Sequence, residues 1–279
     1  MLLARSHKAG PRIYPSPGAS AFCSTCGAAC VAKCGTVNAW HWAHKKRADC
    51  DPWSEGETPW HVWWKTRADE NEIEVTVEQS AEPLGLVVRH RADIKRADGL
   101  VIELQHSNIS ATEIEEREQF YGNMVWLLDG QPFLDRFQLR AKDSYHTFRW
   151  YSPRRSWFAA RRPILIDLGA HLFEVKKLHT ETPCGGWGFL HPKKEGIRRL
   201  RLRALSSIEA SEFGSINVEV VTDVTGVFRR TFLDLKAARR WATGAGGDAR
   251  VRGEVRIDMF RADGSKVPHQ EAADLWTKP

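Results

Sequence analysis

Two carboxylates on one short hairpin, and a crowd of cysteines and histidines ahead of it, are the side chains best placed to do chemistry here. In "RHRADIKRADGLVIELQHS", residues 89–107, Asp93 precedes a turn and Glu103-Leu104-Gln105 follows it. A two-residue Asp98-Gly99 loop would set Asp93 opposite Leu104 and put an acid on the apolar face. A three-residue loop, Ala97-Asp98-Gly99, with Gly99 in the left-handed position of a bulge, pairs Arg96 with Leu100 instead. Asp93 then lies across from Glu103 and Arg91 across from Gln105, while Ala92, Ile94, Ile102 and Leu104 share the other face. Register follows the buried face, so the second pairing is expected. Carboxylates directly opposite one another repel, and a cation must sit between them. A divalent ion on their hard oxygens, keeping several waters, would serve. Such an ion can orient and acidify a water for attack on a phosphodiester. The alternative is that Arg91, Arg96 or Lys65 neutralises the pair.

Cys23-x2-Cys26 is followed by His41-x2-His44 and then Cys50. Paired thiolates on a tight "CSTCG" knuckle, with imidazole or thiolate some way on, is zinc spacing. Four ligands suffice: Cys23, Cys26 and His44, with Cys50 or His41 as the fourth. A structural Zn2+ would supply the fold of a segment too small to build a core. The alternative is a set of buried free thiols. "HKKR", 44–47, adds positive charge suited to gripping nucleic acid.

The elements that must position these residues follow from periodicity. Ser54 to Arg67 reads as a helix, with Ser54-x-x-Glu57 as a capping box and Pro59 in the first turn. Glu57, His61 and Lys65 then share one face at i, i+4 and i+8. "NEIEVTVEQ", "LGLVVRHRADIK" and "LVIELQH" read as strands. Residues 111–122 form a helix capped by Ser110, with Glu113 completing Ser-x-x-Glu, an Ile109–Ile114 staple and a stop at Gly122. "MVWLLD", 124–129, is a continuous apolar strand suited to a sheet covered on both faces. The order is αβββαβ.

Beyond residue 131 the chain turns basic and aromatic. "FRWYSPRRSWFAARRP", 148–163, interleaves aromatics with five arginines. Guanidiniums on phosphates and rings under bases would suit a nucleic-acid strand, with Arg154, Arg155 and Trp157 as candidates. A basic linker whose rings plug into a core is the alternative. A hairpin is expected through Leu168–His171, and basic helices in "EGIRRLRLRALSSIEA" and "LDLKAARRWATG". The division is a zinc-binding module at 1–50, a core at 51–130 and a basic C-terminal α+β domain at 131–279.

With 42% hydrophobic and 27% charged residues among 279, the composition is that of a globular protein. The net charge of +6 favours a polyanionic partner. No apolar run approaches the ~18 residues that span a membrane, and the first apolar stretch is too short for a signal peptide. A cytoplasmic location follows as the expectation. In that reducing compartment crowded cysteines point to metal rather than disulfides.

The motifs "ARS…G…FCSTCG", "HWAH", "DC", "EGE…H…K", "RADI", "GLVIELQHS" and "EERE-x-FY…VWLLDG", in that order, resemble the competence protein CoiA-like family of the PD-(D/E)XK nuclease superfamily. The likeness is dense over the first half and looser over "PILIDLG…LFEVKKL". It implies an α/β (α+β) chain with a restriction-endonuclease-like αβββαβ core and a metal-dependent deoxyribonuclease activity on DNA. Asp93 and Glu103 would hold Mg2+ or Mn2+, with Glu57 as a further acid and His61 positioning a proton. Gln105 stands where a lysine is usual, so another cation must help stabilise the phosphate, and Lys65 could do so in space. Arg117 and Tyr121 resemble the family's helix facing the site, and with Arg91 they are candidates for nucleic-acid contacts. A non-cleaving DNA-binding scaffold in uptake, recombination or defence is the second reading.

Overall fold

A computed structural model describes residues 1–35, 39–46, 50–54, 56–81, 86–180, 184–203, 213–222, 226–232, 253–261, 266–268 and 270. It is a mixed α+β chain, rich in strand with few helices. Contacts divide it into two units, Met1–Ile109 with Glu115–Trp126, and Ser110–Ile114 with Leu127–Pro279. The Cys/His-rich segment therefore shares a unit with most of the αβββαβ stretch. Among the described residues no helix is long and apolar enough to cross a membrane.

Unit 1 opens with a five-stranded antiparallel sheet of very short strands. These are β1 (Ala4–Arg5), β2 (Arg12–Ile13), β3 (Ser20–Phe22), β4 (Ala29–Lys33) and β5 (His41–His44), in the order β2-β1-β3-β4-β5. Their core is small: Met1, Ala4, Ala21, Cys23, Cys30 and Trp42. Trp42 is buried with its indole N–H donating to the Ile13 carbonyl at 3.0 Å.

Next come α1 (Pro59–Lys65), β6 (Ile73–Ala81), β7 (Leu86–Lys95), β8 (Val101–Gln105), α2 (Ala111–Tyr121) and β9 (Met124–Asp129). The strand order β6-β7-β8-β9 puts the Asp93/Glu103 hairpin inside the sheet. Helix α1 begins at Pro59 and not at Ser54. Proline disfavours helical backbone in the residue before it, and Thr58 is extended at φ −108°, ψ 162°. Its hydroxyl accepts from the His61 N–H at 3.3 Å and caps the helix in place of Ser54. Glu57 thus lies outside the helix, and its carboxylate is released from capping.

The hairpin takes the three-residue loop. Ile94 pairs with Ile102 and Lys95 with Val101. The Arg96 N–H donates to the Leu100 carbonyl and the Gly99 N–H to that of Arg96, each at 2.9 Å. Gly99 has φ +85°, a conformation that only glycine adopts without strain. Ala92, Ile94, Ile102 and Leu104 are buried as expected, but β8 is buried along its whole length. Glu103 and Gln105 therefore face an interior, not water. Helix α2 starts as its sequence suggests, with the Glu113 N–H on the Ser110 hydroxyl at 3.0 Å. It ends on Gly122, at φ +65°, whose N–H caps the Glu118 carbonyl.

Unit 2 contains β10 (Phe137–Ala141), β11 (His146–Trp150), β12 (Ile164–Asp167), β13 (His171–His179), β14 (Gly185–Pro192), α3 (Lys193–Arg199), β15 (Phe213–Thr222), β16 (Gly226–Phe232) and β17 (Gly253–Arg261). The order β12-β13-β14-β11-β10-β16-β15-β17 is antiparallel where register is defined. Phe137, Phe148 and Phe173 pack edge and face at its centre. The expected Leu168–His171 hairpin forms, with Gly169 at φ +88°. Helix α3 covers residues 195–199 of the first expected basic helix, 200–203 leave the helix, and 204–210 lie outside the described residues. The second, at 233–244, lies outside the described residues.

Candidate active site and metal centre

Lys65 ends α1 with its ammonium buried. Its Nζ donates to Glu57 Oε1 at 3.0 Å, to Glu74 Oε1 at 3.0 Å and reaches Asp93 Oδ1 at 3.0 Å. An ammonium has three N–H donors, and here three carboxylates take them. Glu74 holds its position through the Leu2 and Leu3 N–H groups, at 2.8 and 2.9 Å, and its own backbone is left-handed at φ +50°. Asp93 Oδ2 accepts the Leu104 N–H at 3.0 Å, and Glu103 Oε1 accepts the Asp93 N–H at 3.2 Å. Past Ile94–Ile102 the two acids thus take main-chain donors of the hairpin, which fixes both carboxylates. Arg117 on α2 closes the far side, with Nη1 on Glu103 Oε2 at 2.7 Å and Nη2 on the Trp53 carbonyl at 2.7 Å.

These contacts set the charge states. Burial would lower the Lys65 pKa, but Glu57, Asp93 and Glu74 outweigh it and hold it well above the ordinary value. Burial likewise pushes Asp93 up, yet Lys65, His61 and the Leu104 N–H together bring it below the usual carboxylate range. Glu103 goes the other way. Burial first, then the Asp93 charge, pushes it up to about 8 against the pull of Arg117. In metal-free protein a raised acid contributes stability that is full below its ordinary value of 4.5 and is lost as pH rises to about 8. Wild type is therefore expected to lose stability relative to Glu103→Gln between those pH values, which a urea-unfolding series would read. Parallel pH profiles would contradict it.

A cavity of ≈ 20 Å³, room for a single water or small ion, is lined by Glu57, His61, Lys65, Asp93, Glu103 and Arg117 among others. Five of the six expected catalytic residues reach it. The exception is Gln105, which is absent from the lining and donates from its amide to the Ser107 carbonyl at 3.3 Å. Glu57 reaches the cavity with its carboxylate on Lys65. Among the described residues Glu57, Asp93 and Glu103 do not gather their oxygens around one point as a three-carboxylate site would. His61 is fixed at both ring nitrogens, Nδ1 by the Thr58 hydroxyl at 2.8 Å and Nε2 by the Leu104 carbonyl at 3.3 Å.

The expected nucleic-acid contacts divide. Arg91 lines the cavity and donates to the Ser54 hydroxyl at 3.2 Å. Arg117 is buried on Glu103. Tyr121 does not line the cavity and packs edge-on against Trp53, with its hydroxyl buried. Trp157 is 1% exposed and cannot offer a face to a base. Arg154 is half-buried and Arg155 exposed. Two acids were not anticipated. Glu74 shares the acidic alternation of β6 and nothing in the sequence separates it from Glu72 or Glu78. Asp51, in the "CDPW" turn, accepts the Arg91 N–H at 2.7 Å and His90 Nδ1 at 3.0 Å, while Trp53 stacks on His90. An acid two residues before a tryptophan and followed by proline was the available signal for a turn there.

The second cluster is Cys23, Cys26, His44 and Cys50, whose ligating atoms all lie within 4.8 Å of one another. Cys23 and Cys50 sulfurs are 3.7 Å apart, and Cys26 Sγ lies 3.3 Å from His44 Nε2. Two thiolates on a tetrahedral ion stand roughly 3.8 Å apart, given metal–sulfur bonds of about 2.3 Å. The group can hold a metal ion such as zinc. His41 is outside it, because one strand residue cannot face the same way as another three positions on. Its Nδ1 bonds the Ala39 carbonyl instead, at 2.8 Å. The knuckle is shaped by Gly27 at φ +71°, whose N–H reaches the Cys23 carbonyl, and by the Thr25 N–H on Cys23 Sγ at 3.4 Å. Burial raises the Cys23 thiol, but Cys26 and the Thr25 N–H bring it below its ordinary value. Burial and then Cys23 push Cys50 up. Metal binding would thus displace protons.

No family model, curated protein or solved structure matches this chain.

Proposed function

We propose that unit 1 is a metal-dependent deoxyribonuclease of the PD-(D/E)XK type, similar to CoiA-like proteins and working in the cytoplasm. One observation carries this reading: Asp93 and Glu103 stand on paired strands at one cavity, and Lys65 reaches Asp93 from α1 at 3.0 Å. The cation absent at Gln105 is delivered from another element. Asp93 and Glu103 are the two hard donors for Mg2+ or Mn2+, an ion that binds through one or two carboxylates and keeps its waters. When bound, it would polarise the scissile phosphate and acidify a water. Lys65 offsets charge on the transferring phosphoryl oxygens, while Glu57 and Glu74 hold its ammonium in place. Arg117 orients Glu103, and Arg91 attracts the backbone phosphate. His61, fixed by Thr58 and Leu104, positions the strand segment beside them. The Cys3His group holds a structural Zn2+ that fixes the N-terminal sheet.

Pure protein with plasmid or single-stranded DNA is expected to cut in Mg2+ or Mn2+. Asp93→Ala and Glu103→Ala are expected to reduce cutting below detection. Equal cutting by both variants would overturn the assignment. A second reading, a scaffold that binds DNA without cutting, is favoured by the contacts of Lys65 with Asp93 and of Arg117 with Glu103, which already occupy both acids. Binding without cutting in any divalent cation would promote it.

A further inference from the structure

We propose that unit 2 carries a separate subsite for a single nucleobase with its phosphate, in the cavity that Trp150, Tyr151 and Arg155 share with Pro153, Phe158 and Cys184. The inference deepens the nuclease reading by naming where substrate strand outside the cleavage site is held. The cavity has a volume of ≈ 280 Å³, near the lower end of small-molecule sites at about 300 Å³. That suits one planar heterocycle and is too small for two.

Three features specify the occupant. Trp150 is 4% exposed, and its indole N–H is buried with no hydrogen-bond partner. A buried donor in that state costs free energy, and a carbonyl acceptor on a ligand would satisfy it. The walls supply ring faces and edges from Phe158 and from Tyr151, which is 42% exposed, while the Trp150 ring itself is packed against Phe133 and Phe137. Base–aromatic contact tolerates any sequence because every base has a π-face. Arg155 is exposed at the lining and provides the fork that matches a phosphate. Acceptor, flat ring and anion together describe a nucleotide. Ser152 turns the chain between these residues with φ +50°, one of three non-glycine left-handed residues described. The Trp150 N–H of the backbone is meanwhile fixed on the Cys184 carbonyl at 3.0 Å. The arginine–aromatic segment thus offers one cavity rather than a row of stacking rings, consistent with the burial of Trp157.

The test uses the full chain without added divalent cation, so that nothing is cut. Binding of labelled oligothymidylate is measured by anisotropy beside an abasic strand of equal length. Wild type is expected to prefer the base-bearing strand. Trp150→Phe keeps an aromatic ring, though a smaller one, and removes the donor. It should weaken that strand about fivefold to tenfold, the worth of one hydrogen bond, and leave the abasic strand unchanged. Arg155→Ala should weaken both. Should Trp150→Phe unfold early in a thermal scan, Arg155→Ala and thymidine 5′-monophosphate decide the matter. Competition by the free nucleotide identifies it as an occupant, and oligonucleotide binding without such competition identifies a strand-borne base. Equal affinity of wild type for both strands, or Trp150→Phe unchanged on either, would overturn the subsite. Metal-dependent cutting measured on the same preparations separates the two readings: intact cutting with unchanged binding removes the subsite alone.

Discussion

Removing metal from Cys23, Cys26, His44 and Cys50 is expected to unfold the N-terminal sheet. Strands of two to five residues around six small-core side chains bury little apolar area, and such segments draw their folding free energy from the ion. For structural zinc that is about 10 kcal/mol or more. Chelation, or Cys23→Ser, should therefore abolish hydrogen-exchange protection over residues 1–50 and lower the first thermal transition sharply. One zinc per chain is expected by elemental analysis, unchanged in His41→Ala and lost in His44→Ala. The effect should also reach the carboxylate site. Thr25 and Thr76 hydroxyls bond at 3.0 Å, and the Leu2 and Leu3 N–H groups hold Glu74. Retained protection after chelation would show that the apolar core suffices.

The second large effect is that of Lys65→Met. Its removal leaves Glu57, Glu74 and Asp93 without the ammonium they share. Breaking a buried pair by deleting one partner costs about 3–5 kcal/mol, and cutting should be lost with it. The pH dependence separates this from simple misfolding. In wild type burial pushes Glu74 and Asp93 up, and Lys65 leads the groups that together depress them. The N-terminal ammonium and Arg91 join it on Glu74, and His61 and the Leu104 N–H join it on Asp93. These acids contribute stability present above their unfolded pKa and lost as pH falls through the folded value. Without Lys65, burial raises them instead, and Lys65→Met should gain stability on acidification from neutral pH. Urea unfolding at pH 7 and pH 5 reads the sign. A variant that gains no more stability on acidification than wild type, in which Glu103 already favours the lower pH, would contradict the shared-ammonium account.

How much of this was legible depends on whether local pattern or distant packing decided each residue. The hairpin register was legible because Ala92, Ile94, Ile102 and Leu104 must share a face, and only the Gly99 bulge allows it. The α2 cap was legible because Ser110 and Glu113 act within one turn. Three of the four residues in the cluster that can hold a metal followed from spacing, but the choice of Cys50 over His41 needed the strand geometry of β5. The start of α1 was misread because Ser54-x-x-Glu57 fits a capping box as well as Thr58-Pro59 fits a helix start, and proline geometry decides between them. Glu74 was illegible: a buried acid and a solvated one look alike in an alternating strand. Trp157 was misplaced for a related reason, since interleaved arginines and rings carry no record of which side faces the core. Gln105 shows the limit most plainly. Its neighbour Glu103 reaches the cavity while its own amide turns to Ser107, and Lys65, the ammonium that does reach Asp93, lies forty residues earlier.

The central claim is that Asp93 and Glu103 together hold the divalent ion used for cutting. Electron paramagnetic resonance of added Mn2+, on zinc-loaded protein with a short DNA duplex, measures that most directly. One tightly bound Mn2+ per chain is expected in wild type, with its signal lost in both Asp93→Ala and Glu103→Ala. No bound Mn2+ in wild type, or the same bound Mn2+ in all three proteins, would contradict it.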